Sequence, residues 1–242
     1  MTEAEWLAND SPYLMLQFVR HRASKRKLRL YACACCRQVW NLMLDVRSRK
    51  AVEVSEKYAD GLASKEEMSA AQGEASAAVQ VASQKKVYPL PKVETTWFKG
   101  QLVFFTKHGE AAKAAKAAAR STDRFSTMTE EMSQASGWAL NAEAIGHTVS
   151  EIHEFRKRYS NLLRCIFGNP FRPVVAFPTW LTHDALVVAQ TIYDNRAFTK
   201  MPALANALER TRCEDQEILS HCMNPSEHAM GCWVVDLVLG KR

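Results

Sequence analysis

The chain repeatedly places a helix-starting residue directly before a run of apolar residues with helical spacing. Thr2 and Glu5 have the spacing of a capping box, in which each side chain bonds the backbone N–H of the other residue. Ser11 precedes Pro12, and proline is favoured in a first helical turn because the N–H that it lacks has no helical partner there. Ser24 precedes the strongest amphipathic segment. These signals predict an all-α protein.

The segment from Lys25 to about Leu44 has the clearest helical periodicity. Its apolar residues recur every three or four positions and form a continuous stripe on one face. Those residues are Leu28, Tyr31, Cys35, Val39 and Leu42. With the later segments, we predict about ten helices in an orthogonal or bundle-like packing. Residues 97–105 are apolar enough for either a short strand pair or a buried helix, and periodicity does not separate the two.

Two later segments also predict helices. The alanine-rich segment 108–121 has high helix propensity but almost no large apolar side chain. It is therefore expected either at the surface or partly disordered in isolation. A long amphipathic stretch begins near Thr127 or Thr129 and runs to about Phe167, with Gly146 as one candidate break.

Two proline-containing stretches interrupt the helices. Residues 168–180 contain three prolines and several aromatic residues, which predicts a loop packed on the protein, with Arg172 paired to a carboxylate. Residues 85–96 predict an exposed loop. We expect one helical domain over 1–242. The alternative is an N-terminal helical part, residues 1–84, and a C-terminal helical part, residues 97–242.

Composition indicates an ordinary globular protein of the cytoplasm. The N-terminus is acidic and polar where a signal peptide would be basic and then apolar. No apolar run approaches the roughly 18–20 residues of a membrane helix, so no membrane association is expected. The seven cysteines are an odd number, and Cys33, Cys35 and Cys36 are too crowded for a regular disulfide framework. Reduced thiols in a cytosol are therefore expected.

Positive charge is concentrated near the N-terminus. Ten Lys or Arg residues and a single acid, Asp45, lie between Arg20 and Lys50. Such a basic patch is typical either of a solvated helix face or of a surface that binds a phosphate backbone. The sequence favours the first interpretation. The nucleic-acid candidates under the second are Arg22, Lys25, Arg26 and Arg29.

The metal-binding candidates lie near the C-terminus, within the twenty residues 213–232. Cysteine and histidine are the ligands that zinc accepts most readily, and they cluster here. The candidates are Cys213, His221, His228 and Cys232. No pair has the C-x₂-C spacing of a zinc knuckle, so the sequence favours buried cysteines without a cofactor, with zinc as the alternative.

Two other clusters favour structural interpretations. Cys33, Cys35 and Cys36 could supply two thiolates to a metal, but small residues at a close helix contact are the simpler explanation. Acids and a histidine at helical spacing between Glu143 and Glu154 resemble one face of a di-metal bundle. The matching ligands on other helices are missing from the sequence, which favours a solvated polar face.

Several motifs resemble a family of uncharacterised planctomycete proteins of the Gemmata type. They are MTEAEWL, KLRLYACACCRQVWNL and AVEVSEKYADG near the start, and LLRCIFGNPFRP, AQTIYDNRAFTKMPALANALE, and EILSHC through GCWVVDLVLGK near the end. The resemblance covers roughly the first 65 and the last 80 residues. It implies a cytoplasmic bacterial protein and no catalytic residue.

No catalytic motif is present in the sequence: it contains neither a G-x-S-x-G nucleophile elbow nor a phosphate-binding glycine loop. An enzyme is therefore not favoured. The amphipathic helices and the aromatic loop favour a non-catalytic helical module that binds another protein. The alternatives are a nucleic-acid-binding protein that uses the basic segment 20–50, and a metal-binding sensor or enzyme that uses residues 213–232.

Overall fold

The computed structural model describes residues 1–84, 94–98, 101–105, 107–120, 125–225 and 227–241. Within them, it contains twelve α-helices and one antiparallel strand pair, which confirms the all-α prediction. The first eight helices are α1 (Glu3–Ala8), α2 (Pro12–Val19), α3 (Lys25–Gln38), α4 (Val46–Ala59), α5 (Lys65–Gln84), α6 (Lys107–Ala118), α7 (Phe125–Ala144) and α8 (Val149–Phe167). The last four are α9 (His183–Asn195), α10 (Met201–Arg210), α11 (Gln216–Met223) and α12 (Trp233–Leu239). Strand β1 (Glu94–Phe98) pairs with β2 (Gln101–Phe105).

The capping signals in the sequence mark real helix starts. Thr2 and Glu5 form both halves of the predicted capping box, and the Ser24 side chain accepts a hydrogen bond from a first-turn N–H of α3. Another complete box, formed by Thr148 and Glu151, starts α8. This box divides the stretch predicted to run to Phe167 into α7 and α8, because a capping residue must leave the helical conformation.

The larger buried cluster, here called the N-terminal core, surrounds α3. This helix packs against α4, α6, α7 and α8. Leu28 and Tyr31 of α3 are fully buried with Trp6 of α1, Met15 of α2 and Leu162 of α8. Each side chain of this kind stabilises the fold by about 1.5–3 kcal/mol when it leaves water. The apolar stripe of α3 is therefore the centre of this core.

Helices α6 and α7 pack closely because small residues face each other. Alanines of both helices are buried in the N-terminal core, so α6 lies inside the protein rather than at its surface. These are Ala111, Ala114, Ala115, Ala117 and Ala118 of α6, and Ala135, Ala139 and Ala142 of α7. Alanine buries little area, so this contact depends on neighbouring large residues for most of its stability.

The second buried cluster, here called the C-terminal core, is built from α9 to α12. Helix α9 packs against α10 and α12, and α11 packs against α10 and α12. Ile192, Leu204 and Val234 are fully buried at its centre. Trp180 from the loop before α9 and Cys165 from α8 complete it. The last turns of α8 therefore contribute to both cores.

Buried charges connect the two cores. The guanidinium of Arg26 on α3 donates to Asp60 at 2.9 Å and to Asp236 of α12 at 2.7 and 3.0 Å. It also donates to the Tyr193 hydroxyl of α9 at 2.8 Å. The Tyr193 hydroxyl in turn donates to Asp60. Because both carboxylates are almost fully buried, this network ties α3 and α4 to α9 and α12.

The remaining features of the fold bear on the domain prediction. The predicted exposed loop at 85–96 lies outside the described residues, except for its last three residues, which begin β1. Whether the chain is one domain or two stays a prediction. Across the parts of the chain that the structure describes, no helix is both long and apolar enough to cross a membrane.

Candidate metal centre

Four metal-ligating side chains converge where α8 meets the C-terminal core. Cys165 comes from the last turns of α8, His221 from α11, His228 from the loop after α11, and Cys232 from the residue before α12. Each offers one ligand atom, and these atoms all lie within 4.8 Å of one another. Both cysteines are buried and both histidines are half-buried. No other such group occurs in the described part of the chain.

The separations between donor atoms are close to those of a tetrahedral zinc site. Because Zn–S is near 2.3 Å and Zn–N near 2.0–2.1 Å, a tetrahedral sulfur–nitrogen edge is about 3.6 Å. The Cys165 Sγ atom lies 3.7 Å from His228 Nδ1, and the Cys232 Sγ atom lies 3.2 Å from His221 Nε2. Two of the sulfur–nitrogen separations are thus close to the edge length of such a tetrahedron. Two thiolates and two imidazoles are a donor set that zinc prefers.

Two glycines allow the chain to bring these ligands together. Gly168 ends α8 with a φ of +66°, and a Cβ there would lie 3.2 Å from the ring of Trp233. Gly231 has a φ of +85°, and its Cβ would lie 2.9 Å from Leu30. Residues other than glycine rarely adopt a positive φ. Gly231 therefore seats the loop against α3 and positions the next residue, Cys232.

Burial and a mutual hydrogen bond shift the pKa values of the Cys165 and Cys232 thiols in opposite directions. The hydrogen bond with Cys232, together with burial, raises the pKa of Cys165 well above its usual range. For Cys232, burial acts to raise the pKa, but the hydrogen bond with Cys165 and the nearby His221 outweigh it, and the pKa falls well below its usual range. The lowered pKa of Cys232 favours the thiolate form of this side chain. A thiolate is the form that binds metal.

Neighbouring groups orient the imidazoles and balance the charge. His228 Nε2 lies 3.3 Å from the Asn224 carbonyl oxygen, which leaves Nδ1 to face Cys165. In metal sites, such a bond from the second ring nitrogen fixes the tautomer and the ring direction. The Lys27 ammonium donates to the Ile166 carbonyl at 2.6 Å. Burial lowers the pKa of Lys27, while Asp236 and Cys232 act to raise it.

The structure brings together three of the four metal candidates from the sequence and replaces the fourth. Cys213 lies outside the group, because it is buried in the C-terminal core beyond the end of α10. Its place is taken by Cys165. Cys222, next to His221, points into the same core, since adjacent residues on a helix project about 100° apart.

Cys165 could not be identified from the sequence. It lies 48 positions before Cys213, within LLRCIFGNPFRP, and no local spacing relates it to the other ligands. The signal that could have pointed to it is weak: it is the cysteine nearest the C-terminal cluster along the chain. Helix packing alone places it beside Cys232.

The four basic candidates for nucleic-acid binding are divided between the interior and the surface. Arg26 lies in the buried charge network described above. Arg29, only 3% exposed, donates to the carbonyl oxygens of Ala118 and Arg120 at the end of α6, where a cation is favourable. Arg22 and Lys25 are exposed. Two of the four guanidinium or ammonium groups are therefore occupied inside the protein.

The other sequence clusters have structural surroundings. Cys33, Cys35 and Cys36 are fully buried, and burial raises the pKa of the Cys33 thiol to about 12. The predicted polar face near Glu143 and Glu154 is split between α7 and α8. Glu143 pairs with an arginine of α8 and faces it rather than a metal.

The predicted loop 168–180 is packed on one side and open on the other. Arg172 pairs with Glu3 at 2.6 Å and with Glu217 of α11 at 3.5 Å, which confirms its expected carboxylate partner. Trp180 is buried. Phe177, however, is 61% exposed, and Val175 is 76% exposed. The loop is thus held at its base and presents apolar side chains at its tip.

Comparison of the chain with protein families, with curated proteins and with solved structures finds no match. The chemistry of the site therefore rests on the residues themselves.

Proposed function

We propose that this chain binds one Zn²⁺ ion through Cys165, His221, His228 and Cys232, and that the ion has a structural role. The observation that carries the proposal is the mutual approach of four donor atoms to within 4.8 Å. These donors come from α8, from α11 and from the loop between α11 and α12, and they are separated by up to 67 positions in the sequence. The ion would fix them in one arrangement.

The number of donors favours a structural site over a catalytic one. A catalytic zinc keeps one of its four positions open for water or substrate, whereas a structural zinc is closed by four protein ligands. Four protein donors are present here, and both sulfurs are buried. Four protein donors therefore favour a metal-binding protein over a metal-dependent enzyme.

The position of the site explains what the ion would stabilise. Cys165 is anchored in α8, which packs in the N-terminal core, while the other three ligands belong to α11 and the segment leading into α12. Bound zinc would therefore link the C-terminal core to α8. Because metal binds the folded state and few of these ligands lie together in an unfolded chain, binding free energy becomes folding free energy.

Metal analysis of untagged protein tests the proposal. We expect one zinc per chain after purification without chelators, and cobalt substitution should produce the visible absorption of a tetrahedral thiolate site. Cys165→Ser and Cys232→Ser should each lose the metal. Cys213→Ser is the matched control, because it removes a buried cysteine of the same core and should keep one zinc per chain. Wild-type protein without metal, or a metal-loaded Cys165→Ser/Cys232→Ser variant, would contradict the proposal.

A second proposed function, binding of a protein partner, is supported by the tip of loop 168–180. Val175 and Phe177 are exposed although the base of the loop is held by Arg172 and Trp180. Phe177→Ser should leave the melting temperature unchanged and remove one reproducible partner from affinity purification. Leu7→Ser, a change at another exposed apolar residue on α1, should retain that partner. Equal partner recovery for both variants would contradict this function.

A further inference from the structure

We propose that the metal centre is a thiol redox switch, in which oxidation joins Cys165 to Cys232 and releases the zinc ion. This inference rests on the proposed zinc binding, since the ion is what oxidation would release. It goes beyond that function because a structural zinc site can also be chemically inert. The geometry of the two sulfurs distinguishes this centre from the other cysteines of the chain.

Cys165 and Cys232 are close in space but far apart in the sequence. Their sulfur atoms lie within 4.8 Å of each other. In a tetrahedral zinc site, a sulfur–sulfur edge is about 3.8 Å, whereas a disulfide bond is about 2.05 Å long. Closing that difference needs a shift of about 1.7 Å. Cys232 is the residue between Gly231 and the first residue of α12.

The other cysteines lie outside this group of four donors. Cys33 and Cys36 are three positions apart on α3, where Cβ atoms are about 5–6 Å apart. A disulfide requires Cβ atoms about 3.5–4.5 Å apart. Cys213 and Cys222 belong to the C-terminal core but lie outside the group of four donors. The structure therefore selects Cys165 and Cys232.

A small oxidant must be able to reach the two sulfur atoms. Both sulfurs are buried, at 3% and 1% exposure, but His221 and His228 are half-buried and form the side of the centre that faces solvent. His228 is supplied by a loop rather than a helix. A small oxidant such as hydrogen peroxide would approach the sulfurs from the side of these two rings.

The chemical step balances with peroxide as the oxidant. One thiolate attacks a peroxide oxygen, the O–O bond breaks, and the departing hydroxide takes a proton from the buffered solvent to become water. The resulting sulfenic acid is attacked by the second thiolate, so that the S–S bond forms, the S–O bond breaks and a second hydroxide takes a proton. In total, two thiolates, one peroxide and two protons give one disulfide and two waters. The ion then keeps only two imidazole ligands and dissociates.

Treatment of the zinc-loaded wild-type protein with hydrogen peroxide tests the inference. We expect one zinc ion released into a chromogenic chelator for every two thiols lost, and peptide mapping should find the Cys165–Cys232 disulfide. Dithiothreitol with added zinc should restore one zinc per chain. Cys213→Ser, which keeps all four donors, should behave as the wild type does. Cys165→His keeps four donors but only one sulfur, and its release should be at least tenfold slower.

The outcomes separate this inference from the function on which it rests. Wild-type protein that never holds zinc would overturn both. Protein that holds one zinc, but loses thiols without releasing it, would overturn the switch alone. Release accompanied by a disulfide between any other pair would also overturn it. If Cys165→His fails to bind zinc, the stoichiometry and the mapped disulfide of the wild type still decide.

Discussion

The N-terminal and C-terminal cores of this protein reach stability by different means. The centre of the N-terminal core is built from long helices, with 14 residues in α3, 20 in α7 and 19 in α8. In the C-terminal core, α9 has 13 residues, and the other three helices are shorter, with 10 residues in α10, 8 in α11 and 7 in α12. Short helices are marginal by themselves because few residues share the cost of nucleation. The candidate metal centre lies in the region of short helices.

The difference in helix length indicates that a metal cross-link would stabilise the C-terminal core more than the N-terminal core. In the N-terminal core, large residues of α3 and alanines of α6 and α7 supply continuous contact. In the C-terminal core, α11 and α12 are joined by a loop that includes His228 and Cys232. A metal bound there would replace contact area that these two helices are too short to provide. Four experiments test this difference between the two cores.

The largest effect is expected from the charges that connect the two cores. Arg26→Ala leaves Asp60 and Asp236 buried without their guanidinium partner, which should destabilise the protein by about 3–5 kcal/mol. Arg22→Ala removes an exposed arginine that lies four positions before Arg26 in the sequence, and it should change the free energy of unfolding by about 0.5 kcal/mol or less. Urea denaturation of both variants measures the difference. Equal stability would show that the cores are joined by other contacts.

Removal of the metal should act mainly on the C-terminal core. At free zinc about 1,000 times its dissociation constant, binding contributes about 4 kcal/mol, and a chelator should remove that contribution. Hydrogen exchange should then accelerate in α11 and α12 while the amides of α3 stay protected. The Cys165→Ser variant provides the control, because chelation should cause no further change in it. Uniform acceleration in both cores would contradict a local role for the ion.

Gly231 tests how the backbone positions the centre. Gly231→Ala introduces a Cβ at positive φ and 2.9 Å from Leu30, which should cost about 1–3 kcal/mol and weaken zinc binding through the adjacent Cys232. Gly137→Ala is the matched control within α7, where no atom lies within 4 Å of the new Cβ. It should stabilise by about 0.5–1 kcal/mol. Thermal unfolding should show a lower melting temperature for Gly231→Ala and a higher one for Gly137→Ala. Zinc titration of both variants should show weaker binding for Gly231→Ala.

The smallest effect concerns the start of α8, within the N-terminal region. Hydrogen bonds from Thr148 lower the pKa of Glu151 from 4.5 to about 2. A lowered folded-state pKa contributes stability above pH 4.5 that is lost as the pH falls towards 2. Glu151→Gln should therefore lower the melting temperature slightly at pH 7, and the deficit should shrink below pH 4.5. Glu154→Gln, an exposed change on the same helix, should show neither behaviour.

The sequence predicts local structure better than it predicts the site. The capping residues at Thr2 and Ser24 and the apolar stripe of α3 are local, so the all-α class follows from them. Twelve helices are described where about ten are predicted, partly because the Thr148 cap divides one expected helix. The position of α6 in the interior could not be predicted, because alanine is compatible with both a surface and a close helix contact.

Residues that could bind a metal and residues that could begin a helix can be recognised in the amino-acid sequence, because both properties depend on the chemistry of side chains. His221, His228 and Cys232 are close in the chain and could be grouped in advance. Only the tertiary structure decided that Cys165, and not Cys213, completes the group, and that Arg26 lies inside the protein. Helix packing brings together residues that are distant in the sequence, and their separations in space are set by the whole core rather than by local spacing.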